Sequence, residues 1–515
     1  MRKFFSIILS VLLTLSCALG FVGCAKDGEN GLSAFEIYKK YHPEYTGTEE
    51  EWLESLKGSD GTDAKDGVSV ESAYIDEKGY LIILLSDGTE INCGKVTYSF
   101  GESLSYRPVV ESGKIVGYEV AYIGNFSGAD VIIPPEYAGL PVTGIAEYAF
   151  FECDNITAVS IPNTVKSIGA SAFARCENLK SVNVSSIESW CGISFENMGA
   201  NPMYFASELR LNGIPVTNLV IPDSVTSIPD FAFYGCQSLT SVTVGSGVRE
   251  IGESAFYGCE NLDTLTLNGA IADMGSLAFG GCPLLWRVQI GNEVETIGEY
   301  AFYECTYLID VTIPASVKSI GESAFSMCSR LEKVNFNEGL EYIGDCAFAG
   351  CSSLEEFIMP DSVTEIGFGI LMFTGSFAFD GGTPADGTNK LKKLVLSDNL
   401  TAIPQFAFSQ CRISTIAIGK SVEMIDYSAF YGCDLLEYAV ISRSVRQIAS
   451  YAFYRCDKLN TVYYEGTAEE WEEVDVSKNG NDIVNAQKYF YSAEEPTEDG
   501  NFWHYAEDGK TPEKW

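Results

Sequence analysis

Sixteen cysteines, two histidines and 71 carboxylates are the residues of this 515-residue chain best suited to chemistry. Their spacing removes most of the chemistry they could do. His42 and His504 are the only imidazoles and both lie far from the cysteine-rich centre, so no Ser–His or Cys–His pair is available there. Zinc sites need clustered ligands such as two CxxC pairs, and the chain has no CxxC. Neither a phosphate-cradling GxxxxGK[ST] loop nor an HExxH helix occurs. The "GESAF" around Ser254 and Ser323 has the Gly-x-Ser start of a nucleophile elbow. It lacks the second Gly, however, and it recurs where one catalytic serine would suffice, so both serines read as turn residues. With so many acidic residues, close carboxylate pairs are expected everywhere and do not single out a glycosidase dyad. No catalytic residue, metal or cofactor is expected.

What the cysteines do share is a position. Cys153, Cys176, Cys236, Cys259, Cys282, Cys305, Cys328, Cys351, Cys411, Cys433 and Cys456 each follow a phenylalanine by three residues. Those phenylalanines (Phe150, Phe173, Phe233, Phe256, Phe279, Phe302, Phe325, Phe348, Phe408, Phe430 and Phe453) anchor a block such as "VREIGESAFYGCENLDTLTL", residues 248–267. Five consecutive steps, Phe233 to Phe348, are 23 residues each. A fixed period of that length means stacked units, each of which buries its apolar side only against its neighbours. The steps from Phe173 to Phe233 and from Phe348 to Phe408 span 60 residues, one ordinary repeat plus an enlarged one. The enlarged coils are placed at 185–222 and 361–397 and should bulge from one edge of the stack. About 13 coils at about 4.8 Å each predict a solenoid roughly 60 Å long.

Within a coil, "LTSVTV" (Leu239 to Val244) reads as the main strand, with Leu and Val inward and the residues between them outward. "VTSI" is a second, shorter extended segment and "AFYGC" the tight return. A single Cys per coil makes an inward ladder of buried free thiols, since side chains stacked in parallel rarely reach disulfide geometry.

Outside the repeat, Arg2 and Lys3 precede an apolar stretch from Phe4 to Ala18 that ends in "FVGC" at Cys24. This resembles a bacterial lipoprotein signal occupying residues 1–23, cut so that the Cys24 thiol carries lipid; an uncleaved membrane anchor is the competing reading. Both put the rest of the chain outside the cytoplasm. Residues 24–67 read as a tether, with a short helical hairpin in "GLSAFEIYKKYHPEYTGTEEEWLESLKG" and a Gly- and Asp-rich linker. Residues 68–97 form a small β segment turning at Asp87-Gly88, 98–139 a β-rich amino-terminal cap, and 466–515 a carboxy-terminal capping module. The net charge is −38, and −40 once the two basic residues Arg2 and Lys3 are gone. Such a chain repels phosphate backbones, so nucleic acid is excluded as a partner and membrane attachment falls to the lipid.

The pattern "IGESAFYGCENLDTLTL" over 140–465 resembles the BspA-like leucine-rich repeat of bacterial surface proteins. The resemblance implies a curved leucine-rich-repeat solenoid with a parallel β-sheet on its concave face, carried on the cell exterior and acting in adhesion or macromolecular binding. Its partner would be an extracellular protein. The alternative is a glycan-binding component that supports polysaccharide capture. Three surfaces offer contacts. The concave face carries Arg287, Gln289, Asp310, Lys333 and Asn335, with Tyr438 and Tyr463 toward its carboxy-terminal end. The enlarged coils offer Trp190 and Tyr204. The aromatic tail could stack sugars, but capping of the last coil is its favoured role.

Overall fold

In the computed structural model the described residues are 104–121, 128–372, 389–497 and 499–515, together with the backbone of strands Val70–Ile75, Tyr80–Leu85 and Glu90–Lys95. The expected signal, the expected lipid site Cys24, and the expected helical hairpin and linker fall within residues 1–69 and lie outside the described residues. The chain divides into two compact units, Met1–Val216 and Thr217–Trp515.

In the first unit, the strands Val70–Ile75, Tyr80–Leu85 and Glu90–Lys95 form an antiparallel sheet, the outer two flanking the central one. Ser105–Glu111 and Lys114–Ala121 then make a hairpin. Its two turn residues, Ser112 and Gly113, both have positive φ (49° and 77°), the turn whose twist matches that of the strands. From there the pairing changes to parallel. Lys114–Ala121, Leu140–Ile145, Ser167–Ile168 and Ser194–Phe195 run side by side. A second parallel sheet holds Asp130–Ile132, Ala158–Ile161, Ser181–Val184 and Glu208–Leu211.

The second unit carries the regular repeat. Strands Asn218–Ile221, Ser241–Val244, Thr264–Leu267, Arg287–Ile290, Asp310–Ile313 and Lys333–Phe336 form one parallel sheet in which every partner is 23 residues away, as in Ser241↔Thr264. Short strands such as Ser319–Ile320 and Tyr342–Ile343 pair in the same way on the other side of the coil. Both sets of strands follow from period-two patterning: Val288 and Ile290 are inside, Arg287 and Gln289 outside. In each unit the coils stack as a parallel β-solenoid, about 15 turns in all among the described residues. The count is near the 13 expected, and the coil at 461–491, which lacks the marker Phe, adds to it.

The return "AFYGC" is a ladder of its own. N–H groups of Phe231, Phe233 and Gly235 donate to carbonyls of Glu253, Ala255 and Tyr257 in the next coil, at 2.8–2.9 Å. Residues two before and two after the Phe take left-handed backbone, for example Ser254 (φ 52°) and Gly258 (φ 69°). The second position is often Gly, the residue that adopts this conformation without a steric penalty. Ser254 and Ser323 are buried in these turns, as turn residues should be. The rings stack through the interior: Phe279–Phe302 at 5.6 Å, Phe302–Phe325 at 5.2 Å and Phe325–Phe348 at 5.2 Å, with interplanar angles of 6–11°.

Among the residues whose side chains are described, every cysteine is a buried thiol, none of them in a disulfide. Five consecutive ladder thiols share one kind of acceptor: Sγ of Cys259, Cys282, Cys305, Cys328 and Cys351 lies 3.1–3.4 Å from the carbonyl of the Phe in the preceding coil. A small side chain with one weak donor fills the bend and satisfies that carbonyl at once. Burial raises the thiol pKa of Cys176 and of Cys191 to about 12, so these two thiols stay protonated and unreactive.

The enlarged coil at 185–222 does not bulge. Helix Ile187–Cys191 is capped by Ser186, strand Ser194–Phe195 joins one sheet and Glu208–Leu211 the other, and Asn201 and Met203 are fully buried between them. The segment is a coil whose return has been rebuilt. The same unit recurs in 461–491: helix Ala468–Glu472 capped by Thr467, strand Asp475–Val476, buried Asn481 and Ile483, then Gln487–Tyr491. In the coil at 361–397, Leu371 occupies the Phe position, its N–H donating to Ala407 as the Phe N–H groups do; residues 373–388 are outside the described set.

Candidate interaction surface

Among the described residues the inward positions are filled by buried Val, Leu, Ile, Phe and Cys side chains, and the groups left to meet a partner are those the coils present outward. In the second unit the strand residues that face out form two columns along the sheet. The first begins with Asn218, Ser241 and Thr264 and continues with Arg287, Asp310 and Lys333 in register. Glu356 and Lys393, register partners in the next pair of strands, extend it. Its charges alternate in sign. Glu356 lies 3.9 Å from both Lys333 and Lys393. All three side chains are more than a third exposed, and such pairs contribute at most about 1 kcal/mol, so these charges remain available to a partner.

After exposed Val220 the second column is polar (Thr243, Thr266, Gln289, Thr312, Asn335), and it is apolar afterwards (Ile358, Val395, Ala417, Val440, Tyr463). Gln289 is exposed and Asn335 half-buried, its Nδ2 donating to Thr312 Oγ1 at 3.4 Å. Neighbouring side chains thus hold each other in place, which lowers the entropy lost when a ligand orders them.

Three of the residues expected to make contacts sit differently. Tyr463 is 7 % exposed, and Trp503 of the tail lies over it with ring centres 5.4 Å apart. The Trp503 indole N–H donates to the Tyr464 carbonyl at 2.9 Å, and the Tyr505 hydroxyl donates to Glu465. Val440, Tyr463 and Trp503 form a cluster against which Tyr438, Tyr489 and Tyr505 pack. The aromatic residues at this end cover one another, and Tyr438 stays half-buried at the rim. Trp190 is 1 % exposed and edge-on to Phe195 at 5.2 Å, because its helix replaces the turn between the main and short strands of the coil and directs the ring inward. Tyr204 is half-buried with its edge on Phe205. Arg287, Gln289, Asp310, Lys333 and Asn335 are brought together on one face.

Leu284, Trp286 and Tyr307, on the bend beside Arg287, are exposed and were not expected as contacts. The signal lay in the sequence as a departure from the repeat: the coil before Leu284 and Trp286 holds Asn261 and Asp263 at the same positions. Among the described residues no group of three or more His, Cys, Asp or Glu could hold a metal ion, and no helix is long and apolar enough to cross a membrane.

The sequence matches the family profile of the BspA type leucine rich repeat region, in six copies, over 143–212, 210–290, 273–378 and 386–474. No curated protein matches the chain. Among solved structures it is similar to a leucine rich cell surface protein from Faecalibacterium prausnitzii, with 24 % identity over 79 % of this chain and 98 % of that one and a TM-score of 0.38. It is similar also to a leucine-rich repeat protein from Bacteroides ovatus, with 24 % identity over 76 % and 100 % of the two chains and a TM-score of 0.45. A third, from Eubacterium ventriosum, shares 18 % identity over 74 % and 94 %, with a TM-score of 0.39.

Proposed function

The chain belongs to the BspA-type leucine-rich-repeat family, and from that premise we propose that it is a lipid-anchored cell-surface protein whose solenoid binds another macromolecule. The observation that carries the reading is the outward column Arg287–Asp310–Lys333–Glu356–Lys393, a line of charges held in register by the sheet. A fixed array of charged and polar side chains suits a large surface. The partner is an extracellular protein; Gln289, Thr312 and Asn335 supply the hydrogen-bonding groups beside the charges. Attachment through lipid on Cys24 is supported by the charged start, the apolar stretch and the small residues before that cysteine. The test is a pull-down of extracellular proteins run beside a glycan array with the purified chain. Retention of proteins and not of sugars supports the proposal. Retention of sugars alone replaces it with polysaccharide capture.

A further inference from the structure

Because every coil repeats one path, each outward position is occupied many times over, and a residue that breaks its column is not there for the fold. Five residues after the Phe, Asn178 and Asn261 donate through Nδ2 to the carbonyls of Asp154 and Gln237 in the preceding coil, both at 2.8 Å. The two coils after Asn261 give up that side-chain bond. They place Leu284 and Tyr307 there instead, 38 % and 45 % exposed. Two residues beyond Leu284, at a position where other coils have Asp263 and Glu332, stands Trp286, 44 % exposed. Arg330 continues the Leu284–Tyr307 column and lays its guanidinium over the Tyr307 ring at 4.6 Å, and exposed Arg287 adjoins Trp286.

We infer that Leu284, Trp286, Arg287, Tyr307 and Arg330 form a docking site for a protein segment that presents carboxylates beside an apolar side chain. This rests on the macromolecule-binding reading above and names the partner's chemistry. Trp, Tyr and Arg are the residues that dominate interface energetics. On a chain of net charge −38, two guanidiniums flanking an exposed apolar patch favour an acidic segment at this place. A sugar fits less well: Leu284 offers it no hydrogen bond, and Arg330 occupies a Tyr307 face on which a ring would stack.

The probe is a displayed library of random 12-residue peptides selected on the purified chain. Peptides carrying Asp or Glu beside Leu, Ile or Phe should be enriched, and their retention should fall with salt. Trp286→Ala should weaken an enriched peptide roughly tenfold or more, as truncation of a hot spot does. Reversing Arg287→Glu and Arg330→Glu together should turn the selection toward Lys- and Arg-bearing peptides. Unchanged melting curves establish that both variants are folded. Acidic peptides held equally by parent and variants would overturn this site while leaving a binding solenoid intact. Enrichment without acidic bias, or no enrichment, would overturn it as well, and the protein-against-glycan screen then decides the wider reading separately.

Discussion

Replacing Phe302 by Ala removes a ring that is fully buried and stacked on both sides, 5.6 Å from Phe279 and 5.2 Å from Phe325. About 200 Å² of aromatic surface at about 25 cal/mol per Å² sets the whole residue near 5 kcal/mol. Ala keeps the Cβ and the coil relaxes in part, so the expected loss is about 3–5 kcal/mol. The upper half of that range is favoured, because the hole opens onto two rings that lose their partner at the same time. The loss should also be local, since each coil leans only on its neighbours. Hydrogen exchange read by mass spectrometry should show faster exchange across 279–348 and unchanged exchange at 430–464. Urea unfolding of the parent and the variant supplies the energy. A cost under about 1 kcal/mol, or exchange raised evenly along the chain, would refute the stacked-coil account of stability.

The cysteine ladder and the anchor can be tested in the same way. Without denaturant, a thiol-reactive mass label should leave the ladder cysteines unmodified, and unfolding should expose them; cysteines freed only by a reductant would mean disulfides. Cys305→Ala removes the donor to the Phe279 carbonyl (3.4 Å) and should cost about 1 kcal/mol in urea unfolding. The raised thiol pKa values also give stability an alkaline edge. Between about 9 and about 12 the unfolded chain loses the protons of Cys176 and Cys191 while the folded chain keeps them, so stability falls as pH rises through that window. Melting at pH 8 and pH 10.5 should show the decline, and Cys176→Ala should lessen it. Cys24→Ala should abolish fatty-acid labelling and release the protein from the membrane fraction; retention of the unlabelled variant would mean an uncleaved anchor.

The repeat was legible because a solenoid uses one solution many times. Phe302 and its counterparts, the inward Val and Leu positions and the buried thiols are all readable from the 23-residue period. What the period hid was any coil that solves the same problem with other residues. Trp190 and Trp471 mark coils in which a capped helix links the main strand to the short one and the return that follows is rebuilt; without the marker Phe and Cys the first reads as an insertion and the second as a closing module. Burial of Tyr463 was illegible for a different reason. Period-two alternation points it outward, and only contact with Trp503, forty residues on, closes the space above it. The exposed Leu284, Trp286 and Tyr307 are visible as departures from their columns, but apolar content alone gives them the look of core. The carboxy-terminal aromatics deceive in the opposite sense, because they cover one another.

The central claim is that the interior specifies the fold and the outward columns are free to bind. Its most direct measurement is the doubly substituted chain Arg287→Ala, Lys333→Ala, compared with the parent in urea unfolding and in capture of the protein retained by the pull-down. Both side chains are exposed, so unfolding should move by no more than about 0.5 kcal/mol each. Capture should weaken severalfold and lose its dependence on salt. Unchanged capture by the folded double variant would contradict the account and move recognition off this face.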